Sequence, residues 1–440
     1  METKEFFDQK INAFNWRLTL KVMTIGMVAI ALLIPKMMIL GLIHEREQTA
    51  QTAQHEVMAK WSLEQHVRGP VLTIPYIKRV FDPNGKEIQE EIHQYHFLPD
   101  SLFIDGSISP QKLHRSIYQS VVYHADIKIS GRFTQPNFED LKIKPADVLW
   151  DKATLSLAIS DLRGIEDLVN LNWKQQSYPF SPGMDDKLLG GNGISIAFPQ
   201  LASENFPANF NINLKLKGSD ALKFAPLGKT TEVNLQSSWN DPGFVGSFLP
   251  AQREITPQGF KASWKVLSYN RNFPQAWNDN EFNISNADFG VQLVTMADQY
   301  QKSYRSAKYG ILVILFLFLS FFLNEIITKQ RIHPFQYILV GFSILIFYLL
   351  LLSISEQLGF NLAYLIAAVS VLGLVFAYSR TFLKTWFNSI LLSSILAFSF
   401  IFIFILMQLE SYALLVGSIG LFCVLALTMF FTRKINWYGE

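Results

Sequence analysis

The chain has 440 residues, half of them hydrophobic, with a positive mean hydropathy and a formal net charge of only +2. That apolar content excludes an ordinary soluble enzyme, and the near-neutral balance lacks the basic field that nucleic-acid binding needs. Its single cysteine, Cys423, excludes an intrachain disulfide, so any extramembrane region must be held by its own core.

Residues 1–21 carry Lys4, Lys10, Arg17 and Lys21 and are expected to lie in the cytoplasm. Crossing about 30 Å of hydrocarbon at about 1.5 Å per residue takes roughly 20 apolar residues. Val22–Ile43 meets that length, giving a first span over 22–43. It reads as an uncleaved anchor, because its apolar core is longer than that of a signal peptide and His44-Glu45-Arg46-Glu47 is a poor cleavage context.

Residues 44–308 have ordinary proportions of charge, Asn, Pro and Gly. A polar helical stalk is expected from Glu45 to Trp61, and after Gly69-Pro70 the pattern changes to strands. In Asn209–Lys217 the apolar Phe210, Ile212, Leu214 and Leu216 alternate with polar residues, the period of a half-buried strand. Thr154–Ile159, Thr231–Ser237 and Ala125–Ile129 alternate in the same way. Turn residues separate these runs at Asp82-Pro83-Asn84-Gly85, Gly190-Gly191-Asn192-Gly193 and Asn240-Asp241-Pro242-Gly243. Asn84-Gly85 predicts a hairpin, and a short helix is expected around Ser219–Leu222. Many short strands suggest an antiparallel sandwich or curved sheet. The pattern does not decide between one β domain and two. Asp298–Lys308 reads as a polar helix leading into the next span.

Five further spans follow at Tyr309–Ile327, Phe335–Ile354, Gly359–Tyr378, Phe387–Met407 and Tyr412–Phe431 (309–327, 335–354, 359–378, 387–407 and 412–431), leaving 432–440 as a tail. The fold class is thus an α+β membrane protein: a six-helix transmembrane bundle with a large β-rich domain between the first two spans. Threading six spans from a cytoplasmic N-terminus puts Lys329 and Arg331, then Arg380 and Lys384, then Arg433 and Lys434 on the cytoplasmic side. The opposite loops, around Glu356 and Glu410, have no Lys or Arg. Residues 44–308 are therefore expected in the periplasm and both termini in the cytoplasm.

Several segments resemble one another's counterparts in a known family. They are Trp61 with Gly69-Pro70-Val71-Leu72 and Pro75-Tyr76; Arg115-Ser116-Ile117-Tyr118 with Val122-Tyr123; and Ser160-Asp161-Leu162-Arg163-Gly164-Ile165. Ser238-Trp239 through Phe248-Leu249-Pro250 and Gly259-Phe260 with Trp264 come next. The membrane part adds Arg305-Ser306-Ala307-Lys308-Tyr309, Glu325, His333-Pro334-Phe335-Gln336-Tyr337, Phe347 through Glu356, Gly359-Phe360 and Tyr412 through Gly417. In these stretches the chain resembles the CreD family of bacterial inner-membrane proteins; Ser116 departs from it, standing where glycine is expected. The resemblance implies a role in cell-envelope integrity and expression under a two-component system. It brings no catalytic residue and no cofactor.

Ionisable groups at membrane depth are functional candidates by default. Lys36 follows Pro35 inside the first span, and either snorkels outward or faces a polar site in the bundle. Glu325, next to Asn324, could meet His333 across a short loop. Glu356 and Glu410 end two spans on the same side and could meet Arg305 or Lys308. Asp161 and Arg163 offer a local ion pair fixing a turn or, alternatively, a ligand-anchoring arginine. His93 and His96, three apart on a strand, point to opposite faces and cannot easily share a metal. No G-x-S-x-G, H-E-x-x-H or Walker A pattern occurs.

The leading expectation is a non-enzymatic envelope protein whose β domain engages lipid, peptidoglycan-side components or another envelope protein. The alternative is binding or transfer of a lipid or amphiphile, which a hydrophobic groove open to the bilayer would support and a filled β core would count against. An envelope enzyme with its site at the membrane face comes third. The ligand and oligomeric state are not legible.

Overall fold

The computed structural model describes residues 16–81, 87–138, 143–174, 176–184, 189, 192–198, 201–279, 282, 284–293, 298–328, 331–383, 385–409 and 412–433. The chain divides into two compact units, Thr52–Thr295 on the one hand and Met1–Gln51 with Met296–Glu440 on the other.

The helical unit holds α1 (Trp16–Ala31), α2 (Leu33–Trp61, of which the first part belongs here), α3 (Asp298–Thr328), α4 (Pro334–Leu358), α5 (Phe360–Phe382), α6 (Trp386–Gln408) and α7 (Ala413–Thr432). Among the described residues five stretches are long and apolar enough to cross a membrane: Leu18–Trp61 as one, then α3, α4, α5 and α6. The sixth expected span is α7, whose apolar stretch Leu415–Phe430 is shorter. The break at Leu32 between α1 and α2 has a covalent cause. Pro35 has no N–H to give to the Ala31 carbonyl, while the flanking bonds Leu32 N–H to Val28 and Lys36 N–H to Leu32 survive. Glycine lets helices approach closely: a Cβ on Gly341 would collide with Leu32, and one on Gly310 with Tyr348. Gly359, at φ 76°, ends α4 in a conformation that L side chains rarely adopt.

The β unit consists of two sheets over one continuous apolar core. The first runs β13 (Pro242–Gly246), β17 (Phe289–Leu293), β11 (Ala221–Phe224), β1 (Gln65–Phe81), β5 (Ala153–Ile159), β9 (Gly193–Phe198) and β8 (Ser181–Pro182). The long β1 also pairs with β2 (Glu87–Phe97), which pairs in turn with β16 (Ala276–Asn278). The second sheet begins β14 (Gln252–Thr256), β15 (Gly259–Leu267), β12 (Thr230–Ser237) and β3 (Ser101–Arg115). It continues with β4 (Tyr118–Phe133), β10 (Ala208–Ser219), β6 (Asn170–Trp173) and β7 (Gln176–Pro179). The architecture is therefore a sandwich, mainly antiparallel, with parallel pairs at β1–β11 and β3–β12.

Alternation along β10 buries Phe210, Ile212, Leu214 and Leu216, the inward face that pairs with β4. Trp264, Trp277, Phe224 and Phe289 fill the space between sheets and are fully buried. β1 and β2 pair antiparallel from Leu72↔Phe97 outward; the expected Asn84-Gly85 turn between them lies outside the described residues, as do Gly190 and Gly191. Ser219–Leu222 is not a helix. Ser219 ends β10 and Ala221 begins β11, with Asp220 at φ 61° making the corner and accepting a bond from the Gln292 amide at 2.9 Å. Asp tolerates that left-handed conformation because its short side chain bonds locally. Ser116 turns β3 into β4 at φ 56°, which explains why glycine is the expected residue there.

Candidate functional site

The polar candidates of the helical unit do not converge. Lys36 is buried, and its Nζ donates to the Lys308 carbonyl at 3.1 Å, so it faces α3 inside the unit. Glu325 is engaged by Lys21 at 2.6 Å, not by His333. Lys21 donates further to the Ile332 carbonyl at 2.6 Å, and the Tyr337 hydroxyl stands 3.5 Å from the other Glu325 oxygen. His333 instead caps α4: its Nδ1 accepts the Phe335 N–H at 3.2 Å, and its own N–H donates to Gln336 at 2.9 Å. A residue just before a helix is well placed to take an orphan N–H, and this leaves Glu325 to the lysine of α1. Glu356 accepts from the Tyr300 hydroxyl at 3.1 Å rather than meeting Arg305 or Lys308. Glu410 lies outside the described residues.

In the β unit, Asp161 and Arg163 form the local ion pair. Arg163 donates to Asp161 through Nε at 2.9 Å and Nη2 at 2.7 Å, while its Nη1 reaches the Ala59 carbonyl at 2.8 Å. Asp161 also accepts from the Ser62 hydroxyl at 3.0 Å and the Leu63 N–H at 3.1 Å. Those four donors, Arg163 foremost, hold its carboxyl well below the usual range against partial burial. The pair is thus spent on fastening the end of α2 to the sheet. Gln54 and Glu56 add to the fastening, through Gln119 and Arg115 respectively.

His96 is buried and bonded to the Thr73 hydroxyl at 2.9 Å, whereas His93 meets Asp279 at 2.7 Å on the other face of β2. Opposite faces follow from their odd spacing. Among the described residues no group of three or more His, Cys, Asp and Glu side chains is placed to hold a metal ion.

One charged cluster was invisible to motif reading. Asp288, only 7% exposed, accepts from His66 Nδ1 at 2.6 Å and from Arg68 Nη2 at 2.6 Å. The second ring nitrogen of His66 lies 3.2 Å from Glu64, whose other oxygen takes Lys223 at 3.2 Å. Burial alone would raise the Asp288 carboxyl, but the bonds from His66 and Arg68 outweigh it and hold the group below its ordinary value. Both ring nitrogens of His66 thus face a carboxylate oxygen, so the ring is engaged within the cluster. The arrangement is an ionic staple of β1 to the approach to β17.

An opening of the β unit lies on the outer face of the second sheet. Strand pairing sets two polar rows side by side: Gln252, Ser263, Asn234, Asp105, Lys128 and Glu254, Lys261, Gln236, Ser107, Asp126. Between the rows, Ile127, Leu235 and Ala262 point to the core. All of the row residues but Lys128 line an open trough of about 700 Å³, continued by a depression of about 470 Å³ that shares Ser107, Gln236, Glu254 and Lys261. At about 4.8 Å per strand, five strands make it roughly 20 Å wide. Amides, hydroxyls and both signs of charge line it, so it suits an extended hydrophilic guest better than an ionic one.

A sequence profile of the family described as "Inner membrane protein CreD" matches residues 17–438. The chain is also 33% identical, over 415 residues, to "Inner membrane protein CreD" of Escherichia coli (strain K12), a match covering 93% of this chain and 91% of that relative.

Proposed function

The chain belongs to the CreD family of inner membrane proteins, and from that premise we propose that it supports envelope integrity as a non-enzymatic anchor. Its β domain stands in the periplasm, with both termini in the cytoplasm, and engages a hydrophilic envelope component through the trough. The observation that carries this reading is the pair of polar rows spanning five strands above a continuous apolar core. A broad, shallow, mixed-charge surface suits reversible contact with a polymer or protein rim, whereas catalysis calls for an enclosed site with a free base. The charged cluster at His66 is closed on itself.

The test is complementation. Asn234→Arg with Gln236→Arg inserts two cations into the trough at exposed positions, leaving the core untouched. In a host lacking its own copy, this variant is expected to accumulate normally yet to leave survival under detergent challenge at the level of the empty host. Wild-type survival at wild-type abundance would contradict a role for the trough.

A further inference from the structure

Three helices of the membrane-spanning unit do not close on one another. Leu312 and Phe316 of α3, Phe402 and Leu406 of α6, and Gly417 and Leu421 of α7 face a common apolar cavity of about 380 Å³. Their spacing puts each pair on one helical stripe. Glycine explains the gap. The Phe402 ring rests against the Gly420 backbone and fixes the approach of α7, while a Cβ on Gly417 would meet nothing nearer than Leu406 at 3.9 Å. Packed interiors hold few voids larger than a water molecule, and an apolar cavity of roughly 150 Å³ already accepts benzene.

The lining is almost wholly apolar. Ser399, Ser418 and Thr428 each donate to a carbonyl of their own helix, at 2.9, 2.9 and 2.8 Å. At this depth the surrounding medium is hydrocarbon, so the available apolar guest is a lipid chain. At one end of the cavity stands a cation. Arg305 precedes the lining residue Tyr309 by four positions, hence on the same face of α3. Its guanidinium lies 3.5 Å from the carbonyl of Leu406, another lining residue. Among the described residues that long contact is its hydrogen bond and no carboxylate forms an ion pair with it, so most of its donor fork is not taken by them. The fork geometry matches phosphate.

We propose that this cavity is a phospholipid site, holding one acyl chain between α3, α6 and α7 with the phosphate on Arg305. The site does not depend on the role of the trough or on which face of the membrane carries the β domain.

Full-length protein reconstituted into phosphatidylethanolamine vesicles with a trace of phosphatidylglycerol bearing an acyl-chain diazirine would be irradiated and mapped by peptide mass spectrometry. Label is expected on Phe316, Phe402 and Leu421 well above the level on Leu365 and Val369, which α5 leaves 60% exposed. Gly417→Phe fills the cavity and should lower that excess about tenfold, with α5 labelling unchanged. Arg305→Gln should lower it several-fold for the phospholipid but not for a diacylglycerol carrying the same chain. Equal labelling of the cavity and α5 in the unsubstituted protein would mean annular lipid only and would overturn the proposal. So would an excess that survives filling; Val424→Phe fills the same cavity from another position if Gly417→Phe fails to accumulate. An excess equally sensitive to Arg305→Gln for both lipids would overturn the phosphate assignment.

Discussion

Asp288→Ala is expected to cost the β domain roughly 3–5 kcal/mol, the usual penalty for removing one partner of a buried ion pair. The loss comes from what is left behind. Arg68 and His66 have side chains only 15% and 19% exposed, and both are aimed at the Asp288 carboxylate. Without it, Arg68 keeps the Leu189 carbonyl at 3.3 Å and His66 keeps Glu64, too little to offset a stranded guanidinium. Asp288→Asn should fall between, since it preserves shape but not charge. The acid dependence has a definite sign. Because the folded carboxyl titrates below its unfolded value, its contribution is complete above the unfolded carboxylate range, near pH 4, and is lost as pH falls through the lowered folded value. Tryptophan fluorescence of the full-length protein in detergent, unfolded by heat at several pH values, reads both effects. A loss under about 1 kcal/mol for Asp288→Ala would show that the cluster behaves as a surface pair.

The second large effect concerns Lys21 and Glu325. A lone lysine costs roughly 2.5–3.5 kcal/mol at a helix centre and less toward the interface, so Glu325→Ala is expected to destabilise the helical unit by about 2 kcal/mol. Lys21→Ala should cost a similar amount, because it leaves Glu325 with only the distant Tyr337 hydroxyl. The double variant should be clearly more stable than the sum of the two losses implies, with a coupling energy of about 1–2 kcal/mol in the cycle. His333→Ala should not couple to Glu325→Ala, since His333 spends its ring on the Phe335 N–H. Thermal or detergent-titrated unfolding in micelles supplies the four values; strict additivity would dismiss the pair.

These two clusters also mark where sequence reading stops. The apolar spans were legible because hydrocarbon thickness dictates a length, and the strand at Asn209–Lys217 because one buried face dictates a period of two. Neither signal carries long-range pairing. Lys21 finds Glu325 across 304 positions, and Asp288 finds Arg68 across 220. The trough was hidden for the same reason: Gln252, Ser263, Asn234 and Asp105 come from four strands, and only register sets them in a row. His333 is an ionisable residue near the membrane by sequence, but its position just before Pro334 makes it a cap. Ser219–Leu222 departs from the expected helix because Ala221 and Leu222 favour one locally, while burial and pairing between β1 and β17 favour a strand.

The placement of the β domain across the membrane from both termini is tested most directly by thiol accessibility. Cys423 is first replaced by serine, and single cysteines are then introduced as Asn240→Cys in the β domain and Arg331→Cys before α4, both at exposed positions. An impermeant maleimide applied to cells with only the outer membrane opened should label the Asn240→Cys protein, and should label the Arg331→Cys protein only after the inner membrane is broken. The reverse pattern would contradict the topology and the envelope role built on it.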